Sequence, residues 1–201
     1  MRRKTFDTLL TAGGLVLTIV LIVAGSLLMW GYSFASSNVH SQLAAQDITF
    51  PTAAQLANPN GTEITASMQQ YLGPYAGMQL TTGAQAKAYA DHFIAVHLSE
   101  MPYGGVYAKV SAAAQAQPNN AALKSEVQTV FQGTTLRGLL LEAYAFSEFG
   151  TIALVAGIAS FVLAAVMALL TGFGFWHVRR VAPAEEVLAA RLGIATPIGV
   201  S

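Results

Sequence analysis

Asp91, His92, His97 and Glu100 form the densest group of side chains able to bind a metal or move a proton. A metal-binding helix pairs histidines at i and i+4, which puts both rings on one face. His92 and His97 are five positions apart, a rotation of roughly 140° on a helix, so they leave on different sides and make no chelate by themselves. His40 would be needed as a further ligand, and nothing in the sequence brings it near. These histidines are read as lining a surface or interface. Ser111 and Ser147 lack the strand-turn-helix context of a serine nucleophile. The Gly13-Gly14 pair lies inside an apolar run rather than after a strand, so it is no phosphate loop. No cysteine occurs, which removes disulfides, thiol nucleophiles and Cys-based metal sites. The expectation is a protein that is not an enzyme, with no catalytic, cofactor-binding or metal-ligating residues.

The elements that would have to position any site are dominated by apolarity. Only 10% of the 201 residues are charged, against about a quarter in soluble domains, and the mean hydropathy is +0.50. The excess sits in residues 8–39 and 149–178, each ending at a basic cluster: Arg2, Arg3 and Lys4 for the first, Arg179 and Arg180 for the second. Lipid supplies no hydrogen-bond partners, so such a run satisfies its backbone as a helix, and about 20 residues cross the hydrocarbon. Ser33-Phe34-Ala35 is compatible with cleavage of a secretory signal. However, the 22 residues 9–30 are too long for an ordinary signal core and suit an anchor. Trp30, Tyr32 and Phe34, and Phe173, Phe175 and Trp176, supply aromatic rings suited to the headgroup layers.

Charge orients the hairpin. Residues 35–148 carry four Lys and Arg against seven Asp and Glu, while all six remaining cations lie in the tails. The positive-inside rule then makes both termini cytoplasmic. The expected organisation is a cytoplasmic N-terminal tail (1–7), a first transmembrane helix (8–34), an extracytoplasmic, mainly helical domain (35–148), a second transmembrane helix (149–178) and a cytoplasmic C-terminal tail (179–201). An acidic outer domain without a basic, aromatic-interleaved patch argues against nucleic-acid partners. The partners expected are the lipid bilayer and either another membrane protein or a second copy of the chain.

Close approach of helices in lipid relies on small residues. Ala156, Ser160, Ala164, Ala168 and Gly172 recur every four positions, a stripe that drifts about 40° per step. Thr11, Gly14, Thr18 and Gly25 cluster on one side of the first run. These nine residues are the candidate helix-packing surface. Neither residues 9–30 nor residues 152–175 contain an ionisable group, which disfavours transport by this chain alone.

In the outer segment, residues 46–80 read as loop-rich, with Pro51, Pro59, Gly61 and Pro74, and Asn60-Gly61-Thr62 reads as an ordinary turn. Thr82 suits an N-cap for a helix carrying Ala86, Tyr89, Phe93 and Ile94, ended by Met101-Pro102. A second helical pattern covers residues 106–115. A third starts at Asn119 or Asn120 and stops at Gly133, after which Thr134 or Thr135 caps a long helix into the second run. Arg137, Glu142 and Glu148 on that extension are a candidate outer contact surface. In the C-terminal tail, Pro183, Glu185 and Glu186 suit the start of a short helix.

Met1-Arg2-Arg3-Lys4-Thr5-Phe6-Asp7, Trp30-Gly31-Tyr32-Ser33-Phe34-Ala35, residues 89–98, residues 134–141, and Phe175-Trp176-His177-Val178-Arg179-Arg180 resemble an uncharacterised family of two-span actinobacterial membrane proteins. The resemblance covers residues 1 to about 180 and implies the plasma membrane of a high-GC Gram-positive bacterium. It carries over no functional residues. Members sometimes bear an aromatic ring-opening dioxygenase label, which these residues do not support, since such chemistry needs iron held by histidines and a carboxylate. The fold class expected is an all-α membrane protein, a two-helix transmembrane hairpin with a small extracytoplasmic helical domain built partly from extensions of the spans. The function expected is assembly, as an accessory or scaffold subunit of a membrane complex or as a self-associating hairpin. The alternative is an anchored extracytoplasmic ligand-binding or sensing module.

Overall fold

The computed structural model describes residues 3–59 and 63–180. The turn at Asn60-Gly61-Thr62 and the short helix expected in the C-terminal tail lie outside the described residues. Among the described residues the chain is almost entirely helical and has no strand. Two helices dominate: α1, Arg3–Ala44, and α7, Ala121–Arg180, with 42 and 60 residues. Both are long and apolar enough to cross a membrane. A crossing takes about 20 residues, so each helix has turns to spare. The chain divides into two compact units, Met1–Trp30 with Ala153–Ser201, and Gly31–Ile152.

In the Gly31–Ile152 unit the chain leaves α1 through Asp47, at φ 52. Residues 48–50 then pair antiparallel with 78–80: the Phe50 amide donates to the Met78 carbonyl at 2.9 Å and the Leu80 amide to the Ile48 carbonyl at 2.8 Å. Between them lie α2 (Ala53–Ala57) and α3 (Ala66–Leu72), the latter followed by a 3₁₀ turn at Gly73–Tyr75. Residues 46–80 are thus more structured than their prolines suggest. Thr52 and Gln55 close a capping box on α2, which satisfies amides a five-residue helix cannot pair itself.

Helix α4 (Gly83–Tyr89) starts at an equivalent box formed by Thr82 and Gln85. The buried Gln85 carboxamide accepts from the Thr81 and Thr82 amides at 2.8 and 3.0 Å. The helix widens to a π segment at Ala90–Ile94 and continues as α5 (Ala95–Glu100). A turn at Pro102–Gly105 leads into α6 (Tyr107–Ala116). Gly105 sits at φ +62, and a Cβ there would collide with the Leu98 carbonyl, so only glycine suits the position.

The break expected at Gly133 does not occur, and α7 runs through it. A Cβ at Gly133 would lie 2.9 Å from Leu98 Cδ2, so its small size serves packing against α5 rather than helix termination. The core gathers Leu43 from α1, Phe50, Leu56 from α2, Met68 and Leu72 from α3, Leu80, and Leu140 from α7, all at most 2% exposed. Phe50 is its hub, with its ring centroid 5.3 Å from Tyr75 and 5.4 Å from Tyr89. Each such side chain contributes about 1.5–3 kcal/mol by leaving water, which short helices need because they are marginal alone.

Candidate functional site

In the unit of Met1–Trp30 with Ala153–Ser201, α1 and α7 pack along a seam of small residues. Thr11, Thr18 and Gly25 on α1, and Gly157, Ala164 and Thr171 on α7, are buried. Each set steps by seven, which drifts only about 20° per step and keeps one face inward, the repeat of left-handed helix pairs. A Cβ on Gly14 would lie 2.7 Å from Thr171 Oγ1, and one on Gly174 would lie 2.7 Å from Thr11 Oγ1. One on Gly25 would lie 3.2 Å from the Phe161 ring, and one on Gly157 would lie 3.3 Å from Met29 Sδ. The hydroxyls of Thr11 and Thr18 donate to the Asp7 and Gly14 carbonyls at 2.7 and 2.8 Å, so two of the seam's hydroxyls are satisfied within α1.

Of the nine residues expected to pack, Thr11, Thr18, Gly25 and Ala164 are buried, and Gly14, Ala156 and Ser160 are half-buried. Ala168 and Gly172 are exposed instead. The reason is angular: a four-residue stripe leaves the contact face within two steps, whereas a seven-residue one stays. Gly157, Thr171 and Gly174 were missed; the seven-residue spacing of Gly157, Ala164 and Thr171 is present in the sequence, but it competes there with the four-residue stripe. With Leu169, Phe173 and Trp176, Ala168 and Gly172 line an open groove of about 410 Å³. At the basic end, His177 Nε2 lies 4.0 Å from Asp7 Oδ2, and the Arg180 guanidinium lies 4.1 Å from the Trp176 ring centroid.

In the other unit the charged side chains have two fates. Asp91, on the π segment, takes a hydrogen bond from Lys87 Nζ at 2.6 Å and one from Arg137 Nη2 at 2.9 Å. Arg137 Nε also donates to the Ala90 carbonyl at 3.3 Å, tying α7 to the segment where α4 widens. The Lys87 hydrogen bond, joined by Arg137, holds the Asp91 carboxyl below its ordinary 3.8 against partial burial. Arg137 is therefore engaged within the unit, whereas Glu142 and Glu148 are exposed. At about 100° per residue, Glu148 falls on the same side of α7 as Arg137, about three turns further on, whereas Glu142 is about 140° away.

The histidines are also separated. His92 stacks flat on Tyr71, centroids 3.6 Å apart, while His97 Nδ1 meets the Phe93 carbonyl at 2.8 Å. His40 lies elsewhere, in a hydroxyl-rich recess with Ser36, Thr82, Ser147 and Thr151. Among the described residues no three His, Asp or Glu side chains come together to hold a metal ion.

This unit also holds a cleft of about 500 Å³ between α1 and α7. Val39, Leu43, Leu139 and Ala143 line it with apolar surface, Asn38, Gln42 and Gln46 with carboxamides, and Glu142 with its sole charge. The amide row at four-residue spacing is visible in the sequence but carried no weight without its partner helix. The fold and these sites define a helical protein with two long apolar helices and a compact, mostly helical unit. Compared with protein families, curated proteins and solved structures, the chain matches none.

Proposed function

We propose that the chain is an integral protein of the plasma membrane, with α1 and α7 each crossing once, both termini cytoplasmic and the Gly31–Ile152 unit outside. In this reading it is not an enzyme. It works in assembly, as an accessory or scaffold subunit of a membrane complex or as a self-associating hairpin. The observation that supports this best is the groove at Ala168 and Gly172, left open after the seam with α1 has formed. Lipid rewards small residues on a helix face when another backbone approaches them. The charge distribution supports the orientation.

Purification of the tagged chain in mild detergent, with the particle mass measured by light scattering, tests assembly. The expected particle exceeds one copy of 21.1 kDa, and paired Ala168→Leu and Gly172→Leu substitutions reduce it to one. A lone monomer carrying only a small molecule would overturn the assembly reading. Orientation is tested by a reporter active only in the cytoplasm, fused at Gln115 or at Ser201. Activity is expected at Ser201 alone, and activity at Gln115 reverses the topology. The second reading, an anchored ligand-binding module, draws its support from the cleft lined by Gln42 and Glu142.

A further inference from the structure

We infer that the cleft between α1 and α7 in the Gly31–Ile152 unit binds a bilayer lipid whose head carries a free ammonium group. Its volume of about 500 Å³ lies in the range of small-molecule sites, roughly 300–1,000 Å³. Its chemistry is graded along the helices. Phe34 and Phe146 line one end, and from there Asn38 and Gln42 follow on α1 at successive turns, with Gln46 in the turn just after the helix. Next to the rings along the chain, Tyr32 on α1 and Phe149 on α7 extend the aromatic end within the same unit. An amphiphile is matched by that gradient, tail toward the rings and head toward the amides.

The head's charge follows from what the cleft offers. Glu142 makes no hydrogen bond or ion pair among the described residues, and neither Gln42 nor Gln46 uses its carboxamide. Asn38 donates its Nδ2 to the Phe34 carbonyl at 2.9 Å, which leaves its Oδ1 free to accept. A lone carboxylate beside acceptor oxygens takes a primary ammonium, which brings three donors and a positive charge. The carboxamide NH₂ groups of Gln42 and Gln46 can donate to a phosphate attached to the same head. A trimethylammonium head has the charge but no N–H donor, and a head with hydroxyls and only a phosphate meets repulsion from Glu142. The site goes beyond assembly and rests on the membrane placement proposed above.

The test starts with fractionation of the full-length chain, then native mass spectrometry of the detergent-solubilised protein titrated with phosphatidylethanolamine, phosphatidylcholine and phosphatidylglycerol. One phosphatidylethanolamine per chain is expected, held about tenfold more tightly than phosphatidylcholine, the worth of a charge-assisted hydrogen bond. Glu142→Gln, isosteric and at an exposed position, abolishes that preference. Ala143→Trp fills the floor and lowers retention of every lipid. Equal retention of the three lipids, or a preference that survives Glu142→Gln, overturns the site while leaving membrane placement intact. A chain recovered in the soluble fraction overturns both.

Discussion

The two units invert one another in what they bury. In the Gly31–Ile152 unit the largest side chains are inside, with Phe50 at 1% and Leu140 at 0% exposed. In the other unit the inside belongs to Thr11, Thr18, Gly157, Ala164 and Thr171, while Leu10 is 67% and Leu169 66% exposed. Water drives large apolar groups together. Lipid gives no such drive, so helices gain mainly by bringing backbones close through small residues. On the membrane placement proposed above, the same chain uses two packing logics, and each predicts its own weak points.

Truncation of a large buried side chain in the Gly31–Ile152 unit gives the largest effect. Phe50→Ala removes the ring shared by Tyr75 and Tyr89 and is expected to cost about 3–5 kcal/mol, and Leu140→Ala about 2–5 kcal/mol. Calorimetric unfolding of the full chain in mild detergent measures both. A loss near zero would mean that this unit has no packed core and that the inversion is false.

Enlargement, not truncation, should damage the seam. Because the chain has no cysteine, one introduced pair reports it cleanly. A Cβ on Gly14 would stand 3.8 Å from Thr171 Cβ, the usual separation in a disulfide. Gly14→Cys with Thr171→Cys should cross-link nearly completely under mild oxidation. Adding Ala164→Leu overpacks the buried seam at about 1–3 kcal/mol and should lower the yield several-fold. An unchanged yield would show that the seam does not depend on small residues.

How far each logic could be read in advance differs for the same reason. The apolar runs and the small residues of α1 are local and legible, since lipid-length stretches and helical spacing need no knowledge of a partner. The choice between a four-residue and a seven-residue stripe on α7 was not, because Ala156, Ser160 and Gly172 fit the first as well as Gly157 and Thr171 fit the second. Contact with α1 decides it. In the other unit the cap at Thr82 was legible, whereas the π segment was not, and neither was the joining of Asp91 to Arg137 across 46 positions. Gly133 looked like a stop because its role, making room for Leu98, is tertiary.

A smaller effect separates the units by pH. The seam's buried residues carry no titratable side chain, but Asp91 contributes through its depressed pKa. A carboxyl lowered on folding stabilises the native state fully above its unfolded value of 3.8, and that contribution disappears as pH falls through the folded value. Asp91→Asn should therefore lower the melting temperature at about pH 6 and lose that deficit toward about pH 3. Lys87, with a pKa raised chiefly by its hydrogen bond to Asp91, acts at the opposite end: its contribution is present below 10.5 and lost above the raised value. Because Lys87 is exposed, added salt should shrink both effects. A deficit equal at all pH values would assign Asp91 a packing role alone.

The smallest expected change in hairpin stability is the most discriminating. Ala168 lies one turn from Ala164 on α7, is the same residue and takes the same substitution, but it is exposed where Ala164 is 3% exposed. Ala168→Leu should leave the Gly14→Cys and Thr171→Cys cross-link yield unchanged, within the roughly 0.5 kcal/mol typical of surface substitutions. If the groove it shares with Gly172 receives another helix, the same substitution lowers the particle mass in mild detergent. Equal damage to the cross-link from both substitutions would return the seam to a four-residue stripe. Damage from neither to cross-link or mass would leave the small residues of α7 without a packing role.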